Sequence, residues 1–127
     1  MIAPMSDTPT LTVYGIPNCD TVKKARTWLQ DQGVAYTFHD FKKQGLDVAT
    51  ALAWTARLPW EQLLNKRGTT WRKLSAEEQA RAVDAASAAA LMAEHTSLVK
   101  RPVVAWPDGA LTAGFNADDW QARHAKR

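Results

Sequence analysis

The spacing of hydrophobic residues near the N-terminus predicts a strand, a helix and a second strand. Residues 11–14 (LTVY) are a short β-prone run that ends at the turn 15–18 (GIPN). Apolar residues then recur at helical spacing across 22–32, and residues 34–41 alternate as a half-buried strand does. A βαβ unit with parallel strands and a right-handed crossover follows from this order.

The middle of the chain favours helices joined by polar segments. Residues 42–45 (KKQG) are predicted to form a loop, after which Asp47 is placed to cap a helix. Pro59 is placed to open a short helix that runs through residue 64. Residues 65–72 (NKRGTTWR) lack periodicity and are predicted to be a loop. The alanine-rich stretch 75–95 begins with capping-box spacing and predicts two helices.

The C-terminal part predicts a hairpin followed by a helix. Two apolar runs, 103–106 and 110–112, are separated by the turn Pro107-Asp108-Gly109, which is typical of antiparallel strands. Asn116 is placed to cap the last helix. The whole order predicts an α/β fold whose sheet mixes parallel and antiparallel strands and carries an inserted helical segment.

Composition changes this picture little. The chain has 127 residues, of which 46% are hydrophobic and 23% charged, so one globular domain is expected over residues 10–127. Residues 1–9 are expected to be a flexible tail, and translation could start at Met1 or Met5. A net charge of +3 is too small to indicate nucleic-acid binding.

The composition also argues against membranes, disulfides and metals. Neither an apolar run of about 20 residues nor a leader-like start is present, so we expect a cytoplasmic protein that contacts no membrane. Cys19 is the single cysteine, and three scattered histidines offer no ligand spacing. No metal and no bound cofactor are therefore expected.

Cys19 stands between the first strand and the first helix, where the first N–H groups of a helix favour negative charge. Thiolate is the nucleophilic form of cysteine, and Lys23, one turn later, would add a cation. A small buried hydrophobic residue is the alternative interpretation of a lone cysteine.

Arg101 and Pro102 precede the predicted hairpin. A guanidinium near Cys19 would bind a carboxylate or an oxyanion through two parallel hydrogen bonds, although Arg101 could equally be a solvated charge. An X-Pro bond at the start of a strand is a candidate for the cis isomer, and trans is the default without other information.

Three segments in the correct order, 14–25 (YGIPNCDTVKKA), 63–74 (LLNKRGTTWRKL) and 99–104 (VKRPVV), resemble the ArsC/Spx (arsenate reductase-like) family, most closely its YffB branch. The resemblance runs from residue 11 to about 120. It implies a thioredoxin-like fold with a mixed four-stranded sheet and a helical insertion. It also implies a nucleophilic cysteine at Cys19 and a cis proline at Pro102.

The chain departs from the arsenate reductases of this family at the oxyanion site. The resemblance implies three arginines around the cysteine, of which Arg101 matches one, while Asn65 and the pair Ala113-Gly114 occupy the other two places. Substitution of a missing arginine by Arg67 or Arg72, from the segment 65–72, remains an open alternative. Spx-type regulators usually carry Cys-x-x-Cys, which a chain with one cysteine cannot form.

The resemblance therefore implies a thiol oxidoreductase that depends on glutathione as co-substrate. Its partners would be glutathione or another thiol/disulfide substrate, with glutaredoxin as a further candidate. The alternatives are an arsenate reductase with a reduced oxyanion site and an Spx-like regulator that binds RNA polymerase without a dithiol switch. The expected catalytic residues are Cys19 and Arg101, and the expected substrate-binding residues are Asn18, Lys23, Asn65, Arg67 and Pro102.

Overall fold

The first half of the sheet is the βαβ unit that the sequence predicts. The computed structural model describes residues 11–125, with β1 at Leu11–Gly15, α1 at Asp20–Asp31 and β2 at Tyr36–Asp40. β1 and β2 pair in parallel, with Leu11 opposite Tyr36. The expected flexible tail, residues 1–9, lies outside the described residues.

The second half of the sheet is an antiparallel hairpin, β3 (Val103–Ala105) and β4 (Leu111–Ala113). β3 also pairs antiparallel with β1, so the strand order within residues 11–125 is β2-β1-β3-β4. The α/β class, the mixed four-stranded sheet and the thioredoxin-like arrangement are thus confirmed. The last helix, α8 (Ala117–Ala125), begins after Asn116, whose side chain accepts a hydrogen bond from the N–H of Asp119 at 3.0 Å.

Short helices fill the chain between β2 and β3. They are α2 (Phe41–Gln44), α3 (Val48–Thr55), α4 (Trp60–Leu63), α5 (Thr69–Lys73), α6 (Ala76–Ala80) and α7 (Ala85–Glu94), followed by a 3-10 turn at Thr96–Leu98. α6 and α7 each begin with a capping box, at Ser75 and Asp84 respectively. Each box pairs backbone N–H groups that the first turn of a helix otherwise leaves unpaired. The second box explains why the alanine-rich stretch divides into two helices at Asp84.

Two of these helices lie where the sequence predicts loops. α2 occupies the segment expected as the loop 42–45, and it begins because the Asp40 carboxylate accepts a hydrogen bond from the N–H of Lys42 at 2.9 Å. α5 occupies part of the expected loop 65–72, and its Trp71 packs against the core. Each helix has only four or five residues, too few for a hydrophobic period to be visible in the sequence.

Alternation along the strands places one hydrophobic core on each face of the sheet. Leu11, Val13 and Val104 belong to one core, while Val103 belongs to the core that the inserted helices cover. Since residues three and four apart on a helix share a face, the buried Val22 and Leu29 of α1 line one side of that helix. No helix within residues 11–125 is long and apolar enough to cross a membrane.

Candidate thiol active site

The strand order of the sheet brings the turn that carries Cys19 close to the segment that carries Arg101. β1 and β3 are antiparallel neighbours, with Tyr14 opposite Val103, so β1 ends at the edge of the sheet where β3 begins. The turn that carries Cys19 follows β1, and Arg101 immediately precedes the start of β3. The pairing of Cys19 with Arg101, which sequence spacing alone could not establish, is a consequence of this strand order.

Cys19 occupies the N-cap position of α1. Its backbone is extended (φ −123°, ψ 125°), and its carbonyl accepts the first helical hydrogen bond, from the N–H of Lys23 at 2.9 Å. The side chain is half-buried. Cys19 therefore stands at the positive end of the helix dipole while its sulfur stays within reach of a ligand.

Arg101 is held by the backbone beside it. Its Nη1 donates to the carbonyl of Ser97 at 2.9 Å, and its Nε is buried without a hydrogen-bond partner among the residues described. The Arg101–Pro102 peptide bond is cis, as the resemblance implies, and Pro102 itself is buried. An unpaired buried donor is costly, which favours an acceptor such as the Cys19 thiolate beside this guanidinium.

The surroundings of Cys19 lower the pKa of its thiol. Burial raises that pKa, because it disfavours the charged form. The backbone N–H of Val22 and the hydrogen bond and charge of Arg101 act in the opposite direction, and the N–H of Thr21 adds to them. Together they outweigh burial, so Cys19 has the electrostatic setting of a reactive cysteine rather than of an inert buried one.

A cavity of about 510 Å³ opens over the thiol. It brings together Cys19, Arg101 and Asn65, three of the residues that the sequence singles out, and adds Lys100. The remaining wall is formed by Thr21, Ala113, Gly114, Phe115 and Asn116. Two cations, one thiol and several neutral donors thus face a space that can take a small anionic ligand.

The other predicted binding residues lie around this cavity and not in its wall. Arg67 lines a second cavity of about 690 Å³, which shares Asn65, Lys100 and Ala113 with the first. Asn18 is exposed and Pro102 is buried, and neither lines the thiol cavity. Lys23 is exposed and borders a separate depression along α1.

Sequence reasoning missed Lys100 as a site residue, although it stands next to Arg101 in the segment that carries the resemblance. Phe115 and Asn116 were missed for a different reason, since they enter the wall only because β4 returns beside β3. As for metals, no group of three His, Cys, Asp or Glu side chains suited to an ion occurs in the described part of the chain.

The chain is similar over most of its length to proteins of one family. The ArsC family model matches residues 14–123. The chain belongs to the ArsC family. An uncharacterized protein of Haemophilus influenzae is 42% identical over 115 residues, which are 91% of this chain and 99% of that protein.

Two solved structures of related proteins have the same fold. The YFFB (PA3664) protein is 44% identical, with a TM-score of 0.84 over 90% of this chain and 98% of that one. An arsenate reductase (ArsC) related protein from Brucella melitensis is 53% identical, with a TM-score of 0.69 over 89% of this chain and 92% of that one. The chain is thus an arsenate reductase-like protein, and its resemblance to the YffB branch is confirmed.

The chain is also similar to Spx regulators. The global transcriptional regulator Spx of Streptococcus agalactiae is 28% identical over 118 residues, 88% of this chain and 81% of that protein. The similarity to Spx is weaker than the similarity to the proteins named above.

Proposed function

We propose that this ArsC-family protein is a glutathione-dependent thiol/disulfide reductase with Cys19 as its single nucleophile. The observation that carries the proposal is the half-buried thiol at the start of α1, with a lowered pKa, beside Arg101 and at the floor of a cavity. The chain has no second cysteine, so an external thiol must complete the reaction. We place this reaction in the cytoplasm, where such thiols are kept reduced.

The proposed reaction has two exchanges. The Cys19 thiolate attacks the glutathione sulfur of a mixed disulfide between glutathione and a second thiol, the old S–S bond breaks, and the second thiol leaves and takes up a proton. A new disulfide then joins Cys19 to glutathione. The thiolate of a second glutathione attacks that disulfide, releases the Cys19 thiolate and yields oxidised glutathione. The net reaction converts the mixed disulfide and one reduced glutathione into the free second thiol and oxidised glutathione.

The charges of the cavity support glutathione as the co-substrate. Glutathione carries two carboxylates, and Arg101 and Lys100 are the cations of the cavity wall. The planar fork of Arg101 suits one carboxylate, while Asn65 supplies a neutral amide. We assign Arg67 to the outer part of the substrate, because it lines the neighbouring cavity. Asn18, Lys23 and Pro102 would act by shaping the edge and the backbone of the site.

Mass spectrometry of the protein after incubation with oxidised glutathione tests the proposal. We expect one glutathione adduct on Cys19, which an excess of reduced glutathione removes. The Cys19→Ser variant is the matched control, since it removes only the sulfur, and it should form no adduct. A wild-type protein that stays unmodified while a model thiol reacts under the same conditions would overturn the proposal.

Arsenate reduction is the second candidate, favoured by the similarity to the arsenate reductase-related protein of Brucella melitensis. The arginine content of the thiol cavity makes arsenate reduction the weaker of the two candidates. Among residues 11–125, Arg101 is the one arginine that lines the thiol cavity, while Arg67 lines the neighbouring cavity and Arg72 lines neither. A dianionic, tetrahedral ligand would lose charge-assisted hydrogen bonds of roughly 1.5 to 3 kcal/mol each relative to a site with three arginines.

An Spx-like regulator that binds RNA polymerase is the alternative outside enzymology, and the similarity to Spx supports it. The Cys19→Ser variant separates it from the reductase. A reductase loses its activity with the thiol, whereas a protein that acts only by binding keeps its partner in a pull-down with purified polymerase.

A further inference from the structure

Two segments that border the thiol cavity run side by side as a short antiparallel pair. The N–H of Asn65 donates to the carbonyl of Leu98, and the N–H of Lys100 donates to the carbonyl of Leu63, both at 2.7 Å. These bonds flank an isolated bridge between Leu64 and Val99. The backbone positions of Asn65 and Lys100 are therefore fixed relative to each other.

The pairing places Asn65 and Lys100 on the same face. Side chains alternate between the two faces of such a pair, so Asn65 and Lys100 lie on the face opposite to Leu64 and Val99. Diagonal neighbours in an antiparallel pair lie roughly 7 to 8 Å apart, a span that one small ligand group bridges. In agreement with this placement, Asn65 and Lys100 both line the thiol cavity and the second cavity.

The Asn65 side chain has a defined orientation. Its Oδ1 accepts a hydrogen bond from the N–H of Arg67 at 3.1 Å, so the other atom of the amide is the NH₂ group. A Cβ on Gly68 would lie 2.9 Å from Asn65 Nδ2, which means that the glycine makes room for this amide. The NH₂ group of Asn65 therefore lies next to Gly68, and it is the part of the amide that is left to donate to a ligand in the cavity that Asn65 lines.

The Lys100 side chain passes close to Gly114. A Cβ at position 114 would lie 3.4 Å from Lys100 Cε, and the φ of Gly114 is +86°, a conformation that other residues rarely adopt. Lys100 makes no ion pair with any residue among 11–125. Within the described part of the chain, Lys100 thus lines both cavities without an ion-pair partner.

We propose that Lys100 and Asn65 form a carboxylate-binding subsite that selects anionic disulfides for attack by Cys19. The proposal rests on the proposed thiol/disulfide exchange and adds to it the residues that choose the substrate. An ammonium and an amide NH₂ together offer donors to the two oxygens of a carboxylate. Arg101 already donates one hydrogen bond to the carbonyl of Ser97, which leaves its remaining donors for the thiolate and for the other carboxylate of glutathione.

A comparison of two disulfides tests the subsite. The rate of Cys19 modification is measured with oxidised glutathione, which is anionic, and with 2-hydroxyethyl disulfide, which is neutral, and the ratio of the two rates is reported. This ratio cancels any change in the reactivity of the thiol itself. For Lys100→Gln we expect the ratio to fall about five- to tenfold, the effect of one partly exposed charge-assisted hydrogen bond.

Three further variants sharpen the test. Lys100→Arg should keep most of the ratio, because it keeps the charge. Asn65→Asp should lower the ratio, since it retains the oxygen that accepts from Arg67 but turns the donor into a negative charge. Lys42→Gln is the control, because Lys42 is an exposed lysine of α2 that lines neither cavity, and its ratio should equal that of the wild type. An unchanged ratio in Lys100→Gln, or an equal fall in Lys42→Gln, would overturn the proposal.

A binding measurement separates failure of the subsite from failure of the reductase. S-methylglutathione carries the carboxylates but cannot exchange disulfides, and its dissociation constant is obtained by calorimetry on Cys19→Ser protein. Lys100→Gln in that background should weaken binding about five- to tenfold. If the wild type reacts with neither disulfide while this weakening is seen, the reductase is wrong and the subsite stands. Absent binding, or binding that Lys100→Gln leaves unchanged, overturns the subsite.

Discussion

The guanidinium of Arg101 donates from Nη1 to the carbonyl of Ser97 at 2.9 Å, which ties this side chain to the 3-10 turn that precedes β3. The side chain is half-buried, and it acts on a thiol that lies on a different element, at the start of α1. The lowered pKa of Cys19 therefore has two independent sources, the N–H groups of its own helix and the guanidinium of Arg101, which precedes β3.

The first prediction concerns the pH dependence of Cys19. Because the pKa of its thiol is lowered, the thiolate fraction should rise at a lower pH than in a free cysteine. We expect the rate of alkylation by iodoacetamide to have its midpoint below about 8.5, the value of an ordinary thiol. Mass spectrometry of the alkylated protein across a pH series gives this midpoint. A midpoint at or above that of glutathione under the same conditions would contradict the prediction.

The second prediction separates the contribution of Arg101. Arg101→Ala should raise the pKa of Cys19 and slow formation of the glutathione adduct, because it removes both a hydrogen bond and a charge. Arg101→Lys should restore part of the effect, since an ammonium keeps the charge but loses the planar fork. Arg72→Ala, an exposed arginine that lines neither cavity, is the control and should leave the alkylation midpoint in place.

The third prediction concerns arsenate. Asn65 lines the cavity over Cys19, so Asn65→Arg adds a cation where the wild type has a neutral amide. Wild-type turnover of arsenate with glutathione and glutaredoxin should be low or absent, and the variant should bind arsenate more tightly, by about tenfold for one charge-assisted bond. Competition of arsenate against alkylation of Cys19 measures this affinity. Robust turnover by the wild type would show that Lys100 and Arg101 suffice as cations.

Much of the fold is visible in the sequence because its signals are local. The alternation of residues 34–41 and the turn Pro107-Asp108-Gly109 each specify an element without help from distant residues, and both elements are present. α2 and α5 were not predicted, because an Asp40 capping bond and the packing of Trp71 define them instead of a repeating pattern.

The site is less visible, because its wall comes from four separate stretches of chain. Cys19 and Arg101 were singled out by their positions before a helix and before a strand together with the resemblance to the ArsC/Spx family. Lys100 is recognised as a site residue only in the folded chain, where its N–H donates to the carbonyl of Leu63 and the N–H of Asn65 donates to the carbonyl of Leu98. These two bonds hold the backbone of Lys100 beside that of Asn65. These bonds join residues far apart in the sequence, so the spacing of residues along the chain does not predict them.

The fourth prediction tests how tightly the turn before Cys19 is packed. A Cβ on Gly15 would lie 2.8 Å from Cγ2 of Val22, a fully buried side chain of α1. Gly15→Ala should therefore cost about 1 to 3 kcal/mol in the free energy of unfolding. In a Val22→Ala background the added methyl keeps only an ordinary contact with Cε1 of Phe38 at 3.7 Å, so the same substitution should cost less. Urea denaturation of the four proteins gives both values, and equal costs in the two backgrounds would show that the contact is not responsible.

The fifth prediction concerns Trp120, which α8 places beneath the wall of the site. Trp120 is 1% exposed, and its ring meets those of Trp28, Trp106 and Phe115 edge-on, with centroids 5.8, 5.3 and 4.8 Å apart. Trp120→Ala removes a large buried side chain and should cost about 3 to 5 kcal/mol.

Phe115, which loses its ring contact with Trp120, also lines the thiol cavity. At a urea concentration where Trp120→Ala remains folded by far-ultraviolet circular dichroism, formation of the glutathione adduct should therefore be slower than in the wild type. Trp60→Ala is the matched control, because Trp60 is only half-buried and lines neither cavity. It should cost less stability and leave the adduct rate unchanged, and equal effects of the two substitutions would refute the link between α8 and the thiol cavity.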